Sequence, residues 1–547
     1  MAVSDWRKSV VYQIYPKSFN DTTGSGMGDI RGIIEKLDYV QALGVDFIWL
    51  TPIYESPMHD NGYDISDYYK INERFGNIDD FKTLIQEAHQ RGIKVMLDIV
   101  INHTSTSHEW FVEAQKSKDN PYRDYYIWRD GDYDSPPTNW ESKFGGNAWQ
   151  YDDDSNQYYL RLFDVTQADL NWENDAVRRE LYEMINYWID FGVDGFRFDV
   201  INLISKGDFE NTVHGPGKEF YTDGPKVHDY IHEMNRSTFG GKDIMTVGEM
   251  SSTTIDHCIK YTKPERQELS SVFNFHHLKV DYPNGEKWTS SPYDFIELKR
   301  ILMEWQEGMD QGGGWNAIFW CNHDQPRVVS RFGSDRTDEE RVLSAKMLAI
   351  SLHGLKGTPY IYQGEELGMT NPKFSRIDQY KDVESLNAYE SLRAKGTASD
   401  AVLKILSEKS RDNSRTPMQW DNSKNAGFTD GEPWIDLAPD TSVVNAEAAL
   451  KDEESVFYTY KKLIELRHET DILTYGSVEP LLMNDQNLFV YKRILDGEVL
   501  TAVANYSNKS VPYPENISID GSVLISNYDD TVDVLRPFEA KLLHRTE

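Results

Sequence analysis

Gly195-Phe196-Arg197-Phe198-Asp199-Val200 reads as one short buried strand. Strand alternation puts Phe196 and Phe198 on one face and Arg197 with Asp199 on the other. A cation and a carboxylate two residues apart are costly to bury unless they face a pocket. At the carboxyl end of a barrel strand that face is where active sites are built. Asp199 therefore reads as a carboxylate nucleophile and Arg197 as the cation that keeps it ionised. Taken alone, an internal ion pair explains the two residues better, and the surrounding chain has to decide.

Working outward, strand and helix alternate. Val10 to Pro16 reads as a first strand, Phe47 to Pro52 as a second and Lys94 to Val100 as a third. Helical spacing from Ile30 to Leu43 stops at Gly44, and that from Phe81 to Arg91 stops at Gly92. Past Gly195 to Val200, the strands are Ile244 to Met250, Val272 to Phe275, Asn316 to Trp320 and Pro359 to Gln363. These strands are too apolar for a one-sided sheet, so a parallel sheet covered by helices is expected. Eight of them predict a (β/α)₈ barrel. The barrel occupies 1–103 and 173–474, the latter with an irregular stretch at 365–434 after strand eight. Residues 104–172 lose the alternation and read as an insertion domain rich in Asp, Tyr, Trp, Gly and Pro. Residues 475–547 change to alternating short strands and predict a C-terminal antiparallel β domain.

Composition narrows the partners. A chain of 547 residues is too long for one core, and a formal net charge of −33 repels nucleic acid and anionic membranes. Two cysteines, Cys258 and Cys321, cannot build a disulfide framework or a Cys-rich metal site. Met1 to Trp6 shows no leader-like apolar region, and no run approaches membrane-spanning length. These features predict a soluble, cytoplasmic, monomeric protein that binds a small molecule, with no nucleic-acid or membrane partner and no required cofactor.

Motifs collect at strand ends. Asp60-Asn61-Gly62-Tyr63 follows strand two, and Asp98 to His103 ends strand three. Gly248-Glu249-Met250 ends strand five, and Asn322-His323-Asp324 ends strand seven. One barrel face can thus gather Asp60, His103, Arg197, Asp199, Glu249, His323 and Asp324. Three carboxylates with an arginine suit glycoside hydrolysis, which needs one carboxylate to attack and one carboxylic acid to protonate the leaving oxygen. Asp199 beside Arg197 fits the nucleophile. Glu249, with no basic neighbour in sequence, fits the proton donor. Asp98 reads as a structural carboxylate that holds its loop by hydrogen bonds.

In this order the motifs resemble the conserved regions of glycoside hydrolase family thirteen, the α-amylase family, and Gln167-Ala-Asp-Leu-Asn171-Trp172 resembles the family's additional region. The resemblance covers essentially the whole chain. It implies a retaining α-glycosidase with Asp199 as nucleophile, Glu249 as acid/base and Asp324 as transition-state stabiliser. It also implies that Asp60, Tyr63, His103, Arg197, His323 and Arg411 bind the non-reducing glucose. Val200 after the nucleophile is the residue carried by members acting on α-1,6 and certain other links, where α-1,4 enzymes usually carry Thr.

Three longer runs, Gly248 to His257, Phe273 to Trp288, and Gly312 to Asn316 with Trp320 to His323, resemble the branch that hydrolyses trehalose 6-phosphate. The activity implied is cleavage of its α,α-1,1 bond. Oligo-1,6-glucosidase activity on isomaltose is the rival, and a non-catalytic barrel lacking the three carboxylates is the rival of another class. An acidic protein needs local cations to hold a phosphosugar. The second run offers His276, His277, Lys279 and Lys287, of which Lys279 and Lys287 are the expected phosphate contacts. Many relatives hold calcium in the loop after strand one. Here that loop reads Asp21, Thr23, Ser25, Met27 and Asp29, with Thr23 and Ser25 in place of an amide and a carboxylate, so Ca²⁺ binding is expected to be weakened.

Overall fold

The computed structural model describes residues 5–514, 517, 521–530 and 533–546. Met1–Ser4, part of the segment expected to lack a leader, lie outside them. Eight parallel strands form one sheet. They are β1 (Val11–Ile14), β2 (Phe47–Leu50), β3 (Lys94–Val100), β4 (Gly195–Asp199), β5 (Met245–Glu249), β6 (Ser271–Phe273), β7 (Ala317–Ile318) and β8 (Thr358–Tyr362). The sheet runs in the order β6-β5-β4-β3-β2-β1-β8-β7, the cyclic sequence order of a (β/α)₈ barrel. The strands are buried on both faces, as an all-parallel sheet covered by helices requires.

The differences from the sequence reading are local. The segment Ile30 to Leu43 is two helices, Ile30–Glu35 and Leu37–Leu43, divided at Lys36, whose ψ of 4° leaves the helical region. The helix Asp175–Phe191 ends at Gly192, which takes φ 111° and donates its N–H to the Ile189 and Trp188 carbonyls. β7 is only two residues long. β4 stops at Asp199 rather than Val200, because Val200 has φ 35° and ψ 41°. That is left-handed backbone, which a β-branched side chain resists.

By internal packing the chain divides into two compact units. One comprises Trp49–Gln86 with Lys94–Asn274; the other comprises Asp5–Ile48, Glu87–Ile93 and the chain from Phe275 onward. In the first, the strands Trp128–Asp130, Gln157–Leu160 and Trp149–Asp152 form a small antiparallel sheet within 104–172. His103–Ser105 pairs with Gln167–Asp169, so the two ends of that segment meet at His103 opposite Asp169. Trp140, Trp149, Leu160 and Leu162 build an aromatic-rich core that also takes in Val200 and Leu203.

In the second unit the C-terminal strands are β9 (Ser477–Leu481), β10 (Leu488–Leu495), β11 (Glu498–Asn505), β12 (Ser522–Ser526) and β13 (Ala540–Thr546). They form an antiparallel sheet in the order β9-β10-β11-β13-β12. Asp496-Gly497, both at positive φ, make the two-residue turn between β10 and β11. Among the described residues no helix is long and apolar enough to cross a membrane.

Candidate active site

Parallel register assembles the carboxylate cluster. Arg197 sits beside Asp98 on β3 and beside Val247 on β5. With a side-chain period of two, Asp98, Arg197, Asp199 and Glu249 project to one face. Arg197 Nη1 is 2.8 Å from Asp98 Oδ1 and 2.7 Å from Asp199 Oδ1, and Nη2 bonds Glu249 Oε2. Asp98, read as a structural carboxylate holding its loop, instead accepts from Arg197, from Trp49 Nε1 at 3.2 Å and from Tyr63 OH at 3.0 Å.

Two electrostatic expectations change. Glu249 has no basic neighbour in sequence, yet the register places it on the same guanidinium as the nucleophile. Asp199, moreover, is not simply held ionised. Burial pushes its pKa well above the usual carboxylate range; Arg197 opposes this, while Glu249 and Asp98 add to it. Asp98 is pushed up to about 6, chiefly by burial. Asp98 and Asp199, both buried on one guanidinium, thus hold their protons more tightly than free carboxyls do. Glu249 follows Gly248 for a packing reason. A Cβ at 248 would stand 2.6 Å from Leu269 Cδ1 and 2.9 Å from Ile201 Cγ2.

Asp60, Tyr63 and His103 join this cluster through hydrogen bonds. Gln167 Nε2 donates to Asp60 Oδ2 at 3.0 Å and to the Tyr63 carbonyl at 3.3 Å. His103 is fully buried; its Nε2 lies 3.2 Å from the Tyr63 carbonyl and its Nδ1 lies 3.2 Å from Asn102 Nδ2. An amide N–H at Nδ1 and a carbonyl at Nε2 fit the neutral tautomer with hydrogen on Nε2. Burial lowers the His103 pKa to about 4, so the ring is uncharged at neutral pH.

Sequence reading missed Asn202. It lies three residues past the nucleophile, where its Oδ1 accepts the Ser251 N–H at 2.9 Å and its Nδ2 donates to Asp223 Oδ1 at 3.1 Å. Asn202 thereby latches the loop after Glu249 to the turn after Asp199. No spacing rule announces such a contact, because its partners are about 20 and 50 residues away.

A second cluster, in the other unit, holds His323, Asp324, Arg411 and Lys287. His323 stacks on Tyr15 at 6.0 Å and is 2.8 Å from Gln13 through Nδ1. Asp324 Oδ1 lies 2.7 Å from Arg415 Nη2 and 3.4 Å from Arg411 Nη1. Both arginines also hold Asp382, which is fully buried; burial pushes its carboxyl up, but Arg411 and Arg415 outweigh that and bring it below the ordinary value. Arg415 and Asp382 were not anticipated. The run Arg411-Asp-Asn-Ser-Arg415 carried the signal in its two cations.

Lys287, expected to read phosphate, is paired with Glu384 at 2.7 Å and lies 4.7 Å over the Trp288 ring. Lys279 is exposed at the end of the short turn His276–Lys279. His277 is not one of the local cations. It is buried with Nε2 3.0 Å from the Phe319 carbonyl, and burial lowers its pKa to about 4. His276 packs against Trp305 with ring centres 4.9 Å apart.

The loop after β1 uses its carboxylates for its own folding. Asp21 Oδ1 accepts from the Thr23 N–H and hydroxyl, both at 2.9 Å, and Oδ2 from Gly26 N–H at 2.7 Å and Thr429. Asp29 caps the helix Ile30–Glu35 through Gly32 N–H and accepts from Thr22. Met27 offers its carbonyl to Ser25 Oγ at 3.2 Å. Calcium needs oxygen acceptors with free lone pairs, and here N–H and O–H donors occupy them, so the residues present do not fit the ion. EDTA is accordingly expected to leave the thermal unfolding midpoint unchanged. A fall on chelation that calcium reverses counts against this.

Comparison with known proteins agrees with this geometry. The family model described as "Alpha amylase, catalytic domain" matches residues 13–476. A trehalose-6-phosphate hydrolase of Bacillus subtilis (strain 168) is 57% identical over 553 residues, covering 99% of this chain and 98% of that protein. An oligo-1,6-glucosidase of Parageobacillus thermoglucosidasius is 50% identical over 554 residues, covering 98% of each. The crystal structure of Bacillus licheniformis trehalose-6-phosphate hydrolase superposes with TM-score 0.95 at 57% identity, covering 99% of this chain and 100% of that one. With Asp199 and Glu249 at the ends of β4 and β5, the chain is a glycosidase acting on O-glycosyl bonds and belongs to the α-amylase family of glycoside hydrolases.

Proposed function

We propose that the chain hydrolyses the α,α-1,1 bond of trehalose 6-phosphate to glucose and glucose 6-phosphate with retention of configuration. The carrying observation is the pair Asp199 and Glu249, held side by side on one guanidinium. Double displacement needs its two carboxyl groups close, at about 5–5.5 Å, whereas inversion leaves room for a water between them. Asp199 attacks the anomeric carbon and forms a glycosyl ester while Glu249, acting as the general acid, protonates the leaving oxygen. Glu249 then takes a proton from the water that cleaves the ester. As Asp199 loses its charge to the ester, Arg197 keeps Asp98 and Glu249 as partners. In this reading Asp324 stabilises the transition state from its anchorage on Arg415 and Arg411, and Asp60, Tyr63, His103, Arg197, His323 and Arg411 bind the glucose hydroxyls.

The choice of substrate is supported by the higher identity to trehalose-6-phosphate hydrolases, 57% and 55%, than to oligo-1,6-glucosidases, 50% and 49%. A phosphorylated disaccharide does not cross a bilayer unaided, which supports a cytoplasmic catalyst. A monomer without a cofactor suffices for this reaction, since every group it uses comes from one chain. One observation favours the oligo-1,6-glucosidase reading: Lys287, the expected phosphate contact, already has a carboxylate partner in Glu384. Rates on trehalose 6-phosphate, trehalose and isomaltose separate the two, with trehalose 6-phosphate expected to be fastest. Proton NMR of the first turnovers should show α-glucose before mutarotation. A preference for isomaltose overturns the substrate, and β-glucose appearing first overturns the mechanism.

A further inference from the structure

A cavity of about 460 Å³ lies away from the carboxylate cluster, between the insertion sheet and the segment after β4. Its size falls in the range of small-molecule sites. Lys118, Arg123, Arg129 and Lys206 line it against two carboxylates, Asp124 and Glu173. Glu173 is paired outward with Lys226, and Lys206 with Asp169 at 2.8 Å. Arg123 and Arg129 have no carboxylate ion-pair partner among the described residues. In a chain of net charge −33 such a pair of guanidiniums is unusual.

Aromatic rings fix both guanidiniums in place. Arg123 lies 3.5 Å over the Trp128 ring, whose other neighbour is Phe111, and Arg129 lies 4.3 Å over Phe209, which stacks on Trp140. Their remaining polar contacts are neutral. Arg123 donates to the Ala114 carbonyl and to Gln157, and Arg129 to the Trp128 carbonyl. Two donors on the lining residues are buried without any partner, Arg123 Nε and Trp128 Nε1. Arg123 and Trp128 are themselves more than nine-tenths buried. Guanidiniums held by rings, with neutral partners and N–H hydrogens left over, are a site for an anion.

We propose that this cavity binds a phosphate monoester of about monosaccharide size, in addition to whatever occupies the catalytic cleft. The phosphate takes the remaining N–H hydrogens of Arg123 and Arg129, and the rest of the volume takes an uncharged polar group. At the back of the cavity, Lys206 connects the site to the glucose-binding residues. Its ammonium bonds Asn102 Oδ1 at 2.9 Å, and the Asn102 amide lies 3.2 Å from His103 Nδ1. The inference does not depend on which disaccharide is cleaved.

Equilibrium dialysis with labelled glucose 6-phosphate tests it. The wild-type protein is expected to bind a second equivalent beyond that in the catalytic cleft. Inorganic phosphate should displace the second equivalent and glucose should not. Arg129→Gln, at an exposed position, should keep the fold and the kcat on p-nitrophenyl α-glucoside while weakening the second equivalent about tenfold or more. Arg123→Gln should weaken it likewise, with thermal unfolding as the check on folding. A single equivalent in the wild type overturns the proposal. So does a second equivalent that Arg129→Gln leaves unchanged, or one that glucose displaces and phosphate does not.

Discussion

Asp199→Asn lowers kcat by about ten-thousand-fold or more on any glucoside the enzyme accepts, because no other side chain can form the glycosyl ester. The fold survives the change. Asp199 shares Arg197 with Asp98 and Glu249, so the guanidinium keeps two partners when one carboxylate is neutralised. Asparagine keeps the shape of the carboxyl and an acceptor oxygen toward Arg197, so the thermal midpoint moves little and in either direction. Turnover of p-nitrophenyl α-glucoside, read beside a calorimetric melt, checks both halves. Near-normal kcat in the Asp199→Asn variant ends the nucleophile assignment, and a collapsed melt shows that the carboxylate serves the fold.

Lys287→Ala is the second large effect and a selective one. If Lys287 reads phosphate, its removal costs about ten- to a hundred-fold in kcat/KM on trehalose 6-phosphate, since a charge-assisted contact contributes about 1.5–3 kcal/mol. The reaction on unphosphorylated p-nitrophenyl α-glucoside should barely change. The ion pair with Glu384 adds a companion expectation with the opposite sign. Glu384→Gln releases the lysine from its carboxylate and should lower KM for the phosphosugar. Added salt should weaken the phosphosugar reaction alone. Equal losses on both substrates in Lys287→Ala refute a phosphate-reading role.

Much of this was legible in the chain because it depends on short-range periodicity. Strand alternation located Arg197 and Asp199, and glycines marked helix ends such as Gly44. What stayed hidden depends on register between distant strands. Nothing near Glu249 in sequence shows that it shares a guanidinium with the nucleophile, because that contact is set by pairing β4 with β5. Asn202 and Arg415 were missed for the same reason, since each acts on partners remote in the chain. His277 was misread as a cation because sequence shows the side chain but not its burial against the Phe319 carbonyl. The loop of Asp21 was legible in type, as a departure from a calcium-binding pattern, but not in the hydrogen bonds that fill its place.

The left-handed backbone at Val200 reaches beyond local geometry. A valine held at φ 35° carries about 1–3 kcal/mol of conformational cost, which surrounding packing has to outweigh. The same side chain belongs to the aromatic core built from the insertion, beside Leu203, Trp140 and Trp149. Position 200 therefore answers to two constraints at once, the bend that follows the nucleophile and the filling of a neighbouring core. Evolution cannot exchange it freely to alter which linkage is cleaved. A threonine there would bring a hydroxyl into an apolar cluster, and a glycine would ease the backbone but leave a void. A substitution at position 200 therefore has to suit both the bend after Asp199 and the packing of the 104–172 segment.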